Sequence, residues 1–98
     1  MTSEFESQIK DLVDREVVGR AVERFLTTVP GLVLVRRAQD EIDHAIQELK
    51  TIPATDAGRI LTLQERIRFN EGLHAWLADA IIEAENATTT LAAIESQD

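Results

Sequence analysis

The sequence predicts an all-α fold of three main helices, on three observations. An apolar pattern runs without proline from Asp56 to Asn86 and repeats at three- and four-residue steps. Pro30 and Pro53 divide the rest of the chain into two segments with the same spacing. A 44% hydrophobic content with a mean hydropathy of −0.13 argues against disorder, and 98 residues make one domain.

The first helix is predicted over about residues 4–28. Ser3 and Glu6 have the spacing of a capping box, in which each side chain accepts a hydrogen bond from a backbone N–H at the helix start. The apolar residues before and after Gly19 fall on nearly opposite faces. Helix 1 is therefore expected either to kink near Gly19 or to be covered on two sides.

A break at Thr27–Gly31 precedes the second helix, which is predicted over about residues 32–50. The β-branched residues of segment 32–35 would also suit a short strand. Helix is favoured because the apolar residues from Val35 to Leu49 continue the segment at helical spacing, and a lone four-residue strand has no partner.

The third helix is predicted over about residues 56–86, with Thr55 as its N-cap. Residues 87–98 are expected to form a short cap or a frayed tail. The short connection through Pro53 makes helices 2 and 3 an antiparallel hairpin with coiled-coil-like packing.

Helix 3 carries two apolar stripes, one around Leu63 and one around Trp76, rotated by roughly a quarter turn. One neighbouring helix cannot cover both, so two partners are expected, of which one could belong to another chain. At its predicted length the helix would reach roughly 46 Å, whereas a compact domain of this size has a radius of gyration of about 13 Å. We therefore expect an oligomeric bundle, a homo-oligomer that assembles through helix 3 and part of helix 1.

The densest aromatic patch of the chain predicts a subunit interface, because tryptophan is a favoured interface anchor. The alternative is that these residues form the chain's own core. The polar Asn70, inside this apolar sector, is expected to fix the helix register. The interface residues are Phe69, Leu73, Trp76, Leu77, Ala80 and Ile81.

Composition excludes several classes of function. With 18 acids, 10 bases and a formal net charge of −8, nucleic-acid binding is not expected. No apolar stretch approaches 18 residues, so no membrane partner is expected. The start of the chain lacks the basic and apolar regions of a secretory signal, which predicts a cytoplasmic protein. No cysteine, no glycine-rich phosphate loop and no nucleophile motif is present, and neither a cofactor nor catalysis is expected.

Two Glu-x-x-His pairs are the only sequence pattern suited to metal binding. They give an alternative to the expectation that the protein binds no metal. Each pair projects a carboxylate and an imidazole from one helix face, as in di-iron helical bundles. Glu16 and Glu23 could add carboxylates at a subunit interface, whereas the simpler interpretation is exposed ion pairs. The two pairs are Glu41 with His44 and Glu71 with His74.

The acidic faces allow a further alternative, in which the protein is a small inhibitor or DNA mimic that occupies a basic surface on a partner. Charged runs of this kind are usually no more than solvated faces. The two runs are Asp40-Glu41-Asp43-Glu48 and Glu83-Glu85.

The segment around the second turn resembles small helical proteins of unassigned role that tailed bacteriophages encode, often near virion genes. The resemblance covers about 35 of the 98 residues and is carried by Ile52-Pro53-Ala54-Thr55-Asp56-Ala57, Ile60, Leu63-Gln64, Ile67 and Trp76-Leu77. Ile52 and Glu65 depart from the family's pattern, which has an acid and an asparagine in those places. The resemblance implies an all-helical particle component or accessory factor and brings no functional residues. Together these features predict a non-enzymatic structural or adaptor protein that acts through protein–protein contacts.

Overall fold

Three α-helices account for nearly all of residues 3–97, which are the part of the chain that the computed structural model describes. They are α1 (Glu4–Leu26), α2 (Val29–Thr51) and α3 (Ala57–Glu95). Within residues 3–97 there is no strand, which confirms the predicted all-α class. The segment 32–35 is helical and belongs to α2.

The first connection is shorter than predicted, because Pro30 begins a helix instead of separating two. Thr28 is the N-cap of α2 and its side chain accepts a hydrogen bond from the Gly31 N–H at 3.2 Å. Pro30 lies in the first turn, where its missing N–H would have had no partner in the helix. As a result α2 begins at Val29, three residues earlier than predicted, and α1 ends at Leu26.

The starts of α1 and α3 are each fixed by a side-chain cap. The Ser3 hydroxyl accepts a hydrogen bond from the Glu6 N–H at 3.1 Å, as the sequence predicts. For α3 the N-cap is Asp56, not Thr55, since the Asp56 carboxylate accepts from the Arg59 N–H at 3.3 Å.

α3 continues to Glu95, nine residues beyond its predicted end at Asn86. Neither glycine nor proline interrupts this stretch, and Ala87 is fully buried, so packing continues to stabilise the helix. The threonines at 88, 89 and 90 fit into the helix because each hydroxyl lies within 3.1 Å of the carbonyl oxygen four residues earlier. The expected cap or tail is thus mostly part of α3, and Asp98 lies outside the described residues.

Both other helices pack along α3, one after the other. Glu48 of α2 bonds to Arg59, and Glu41 lies 3.7 Å from Arg66, so α2 covers the first half of α3. Glu16 of α1 accepts a hydrogen bond from Thr88, so α1 covers the second half. The two partners that the stripes of α3 require both come from this chain.

Buried positions recur every seven residues along α3, which is the spacing of coiled coils. Such a repeat drifts by about 20° per seven residues around a helix with 3.6 residues per turn. The drift explains part of the rotation between the two apolar stripes seen in the sequence. The series is Leu63, Asn70, Leu77 and Ala84, all buried.

The core is thin for a chain of this length. Five of the eight buried apolar residues are alanines, and Leu63 is the only large side chain among residues 3–97 that is completely buried. The surface area is 7279 Å², against about 5,600 Å² for a compact monomer of 10.9 kDa. The Cα radius of gyration of 19.7 Å and the extents of 65 × 30 × 21 Å describe a rod. Among the described residues, no helix has the length and apolar character that a bilayer crossing requires.

Candidate protein interaction surface

α1 turns a small and polar face to α3 and leaves apolar side chains outside. Its buried residue is Gly19, and the half-buried Glu16 and Glu23 lie three before and four after it. The Arg20 guanidinium bonds to the Glu23 carboxylate and reaches the Thr88 hydroxyl at 3.4 Å. Charged side chains therefore occupy the α1–α3 contact, where a larger core would place leucine or valine.

The α1–α3 contact is very close. A Cβ atom added to Gly19 would lie 2.1 Å from the Ala84 Cβ and 2.5 Å from the Ala80 carbonyl oxygen. At this distance no larger side chain fits between the two backbones. The larger apolar side chains of both helices are therefore placed to either side of the contact.

An apolar groove results, and we call it the Trp76 groove. Its cavity has a volume of about 420 Å³. Trp76 lies near the middle of α3 and is 60% exposed, while the walls come from the second half of α1 and from Leu34 of α2. The lining residues are Val17, Val18, Ala21, Val22, Phe25, Leu34, Leu73, Trp76 and Leu77. None of them is charged or polar.

The groove continues into a second, smaller cavity toward the α2–α3 turn. Leu34 and Leu73 line both, and Phe69 is 76% exposed at the far side. Arg37, Glu41 and Arg66 surround this second cavity. The continuous surface therefore has an apolar floor and a charged rim at one end, which is the usual composition of a protein interface.

The exposed apolar area is large. A free aromatic side chain presents about 150–250 Å², so Trp76 and Phe69 together leave roughly 250 Å² in water. Val17, Val18 and Phe25 enlarge this area, since all three are exposed. The largest apolar patch on a typical monomer is only about 300–600 Å² and is often functional.

The six residues predicted at an interface divide into three groups. Trp76 is exposed in the groove and Phe69 in the adjoining cavity, so the alternative that Trp76 belongs to the chain's own core is wrong. Leu77 is buried but lines the floor of the groove, and Leu73 is half-buried there. Ala80 is buried against Gly19 of the same chain, and Ile81 is half-buried outside the groove.

Sequence reasoning expected part of helix 1 at the interface but did not name the residues of the α1 wall of the groove. The change of apolar face at Gly19 was the available signal. It marks the point where one face of α1 packs on α3 and the other remains exposed. The residues missed are Val17, Val18, Val22 and Phe25, together with Leu34 of α2.

Asn70 is buried beside α2, with 9% of its surface exposed. Its side-chain amide donates a hydrogen bond to the Arg66 carbonyl oxygen of its own helix at 2.8 Å. This bond satisfies the buried amide without a group from another helix. That Asn70 fixes the register of the helix against its neighbour stays a prediction.

The Glu-x-x-His residues do not come together. His44 and Glu71 are exposed on different helices, and Glu41 lies beside Arg66. His74 and Glu71 line one small cavity together with Gln39 and Ile42, and the Nε2 atom of His74 is buried without a hydrogen-bond partner. Over residues 3–97 no group of three or more potential ligands is placed to hold a metal ion.

The acidic face of α2 is partly neutralised by α3. The Arg59 guanidinium donates to both carboxylate oxygens of Glu48, one at 2.7 Å, and these hydrogen bonds hold the pKa of Glu48 below its ordinary value of 4.5. Glu41 lies close to Arg66, whereas Asp40 and Asp43 are exposed. The phosphate-mimic hypothesis stays a prediction, with two of its four carboxylates on α2 already paired.

Comparison with known proteins gives no relative. No family model, no curated protein and no solved structure matches this chain. The resemblance to small phage proteins therefore also stays a prediction. The surface itself is the basis for any statement about function.

Proposed function

We propose that this chain is a non-enzymatic helical assembly or adaptor protein that associates with a second copy of itself through the Trp76 groove. The observation that carries the proposal is the groove, which is continuous, lined only by apolar residues and centred on a tryptophan that the chain leaves exposed. Tryptophan at the centre of a contact is the commonest kind of binding anchor.

The order of contacts along the helices supports an antiparallel α2–α3 hairpin as the unit of assembly. Glu48, near the end of α2, bonds to Arg59, near the start of α3. Leu34, near the start of α2, shares a cavity with Leu73, farther along α3. Two copies placed groove to groove bring α1 and α3 of each copy together at their centre, with Leu34 of α2 beside them.

The available area suits a second copy. A standard interface buries about 800 Å² on each partner, and the rod has roughly 1,700 Å² more surface than a compact monomer of its mass would have. Trp76 lies near the midpoint of a 39-residue helix. A twofold axis through the groove would therefore bring the same residues of both copies together, as in isologous dimers.

Sedimentation velocity on the purified chain and on Trp76→Ala tests the proposal. At low protein concentration and high salt, the wild type is expected at twice 10.9 kDa and the variant at 10.9 kDa. The variant should keep its helical circular dichroism, because its indole is mostly outside the chain's own core. Leu61→Ala is the matched control, since Leu61 is exposed on α3 and does not line the groove.

Two results would contradict the proposal. One is a wild-type chain that stays monomeric at hundreds of micromolar. The other is a Trp76→Ala variant that keeps the wild-type mass. Loss of the dimer in Leu61→Ala as well as in Trp76→Ala would show that the groove is not the surface involved.

A further inference from the structure

A second apolar surface lies where α1 meets α2, and we call it the corner surface. Its cavity measures about 580 Å³ and is lined by Leu26, Val29, Leu32, Val33, Val35 and Arg36. None of these residues lines the Trp76 groove. The corner surface is therefore free to bind while the groove is occupied.

The corner surface exists because the two helices meet with their backbones almost in contact. A Cβ atom added to Gly31 would lie 1.9 Å from the Phe25 carbonyl oxygen. The side chains around Gly31 cannot enter so small a space between the helices. Val29, Leu32 and Val33 are accordingly exposed, Val29 to 73%.

The charge around the corner is opposite to that of the rest of the chain. Residues 24–39 contain three arginines and no carboxylate, whereas the remaining residues contain 18 acids and only seven bases. The first turn of α2 also has no acidic residue, so the partial positive charge of the helix N-terminus is not compensated there. An occupant with apolar and acidic side chains is complementary to this surface.

We propose that the corner surface of one copy binds the first turn of α1 of another copy. That turn carries Phe5, which is 56% exposed, between Glu4 and Glu6. The phenyl ring supplies an apolar anchor for the cavity, and the two carboxylates face Arg36 and the α2 N-terminus. This inference rests on the proposed function, which it extends from a dimer to a longer assembly.

The contact has to form between copies. α1 is a 23-residue helix, so its first turn lies about 30 Å from the corner at its other end. The two surfaces that meet are also different, and each groove dimer presents both of them twice. Dimers formed through the groove are thereby linked into chains that grow with protein concentration.

Sedimentation velocity over a range of protein and salt concentrations tests this inference. The wild-type chain is expected to form species larger than the dimer, and these should decrease as salt rises because the contact includes ion pairs. Arg36→Glu should lose the species above the dimer and keep the dimer. Arg68→Glu, the reversal of an exposed arginine that does not line the corner, is the matched control.

Reversing the charges on both sides of the contact tests the pairing of these two surfaces specifically. Glu4→Lys/Glu6→Lys should also stop at the dimer. Mixed with Arg36→Glu, it should form large species again, since each variant then offers a surface complementary to the other. Phe5→Ala should remove the large species without any change in charge.

The outcomes separate this inference from the proposed function. A wild type that stays dimeric at every concentration, or variants that fail to restore assembly on mixing, would overturn the corner contact and leave the groove intact. Persistence of large species in Arg36→Glu would overturn it too. If Arg36→Glu is instead a monomer, the groove does not form the dimer by itself, and the proposed function is contradicted.

Discussion

Gly19 and Gly31 determine how closely the helices approach one another, and two other glycines do not. A Cβ atom at either position would collide with backbone atoms of another helix, whereas at Gly58 and Gly72 nothing lies within 4 Å. The same residue type therefore has opposite significance at these positions. It is required for packing at the first pair, and it only weakens the helix at Gly72.

Replacement of Gly19 by alanine should destabilise the chain. The new methyl group would meet the Ala80 carbonyl oxygen, which cannot move without the helix, and overpacking of this kind costs about 1–3 kcal/mol. The intrinsic gain from alanine in a helix, about 1 kcal/mol, offsets only part of this cost. Urea denaturation followed by circular dichroism measures the difference.

Gly72→Ala is the control for that experiment, because it makes the same chemical change in open space. It should raise the free energy of unfolding by about 0.5–1 kcal/mol. Equal effects of the two substitutions would show that α1 does not pack on α3 as closely as described.

Asn70 permits a second test at the scale of one residue. Asn70→Leu removes a buried amide whose only recorded bond is to its own helix, so the free energy of unfolding should rise. If Asn70 also specifies the register between helices, the variant should give several species in sedimentation velocity. A single species with unchanged mass would limit Asn70 to local packing.

The sequence patterns predicted that the three helices form, but they did not predict all of the helix ends. Helical spacing predicted all three helices and the cap at Ser3. It did not predict the end of α3, because the threonines at 88, 89 and 90 are weak helix formers by themselves. The helix continues past them because Ala87 is buried and the Thr88 hydroxyl donates a hydrogen bond to Glu16 of α1. It also assigned Pro30 to a break, although a proline is equally suited to a first turn.

Part of helix 1 was expected at the interface, but individual residues of the candidate surface were predicted only in its α3 half. The aromatic patch around Trp76 pointed to it directly. The α1 half depends on which face of a two-sided helix is turned inward, and periodicity does not decide this. The structure chooses the face with Gly19, because a glycine opposite Ala80 and Ala84 allows the closest approach.

The connection between α2 and α3 gives the prediction for pH. The Arg59 hydrogen bonds lower the pKa of Glu48, so the ion pair stabilises the fold above pH 4.5 and is lost as the pH falls through the lower folded value. The melting temperature of Glu48→Gln should lie slightly below that of the wild type at pH 6–7. The two should converge in acid, below the folded pKa. The side chains of Glu48 and Arg59 are 41% and 38% exposed, so water screens the pair and the effect should be small.

Asp40→Asn is the control, since Asp40 is exposed on α2. Its difference from the wild type should not follow the same dependence on pH. A gap between the wild type and Glu48→Gln that persists unchanged in acid would show that the ion pair is not its source.

The whole molecule is a rod with little core, and its stability should therefore depend on its concentration. Association adds to the free energy of unfolding by mass action. Trp76 is the only tryptophan in the chain, so it reports the groove directly. Its emission maximum should move to shorter wavelength, and the melting temperature should rise, over the same range of protein concentration.

Emission that stays the same from nanomolar to millimolar concentration would argue against burial of Trp76 by a second copy. Val18→Ser provides a check, because it changes the wall of the groove and leaves the tryptophan in place. In that variant both transitions should shift to higher concentration.

The arrangement of α1 and α2 along α3 sets the order in which the molecule can be built. The α2–α3 contacts join residues close in sequence, such as Glu48 and Arg59, whereas Glu16 and Thr88 are 72 positions apart. Nearby segments meet sooner than distant ones during folding. During synthesis α1 therefore emerges first and docks on α3 last, after the ribosome has completed the far half of α3.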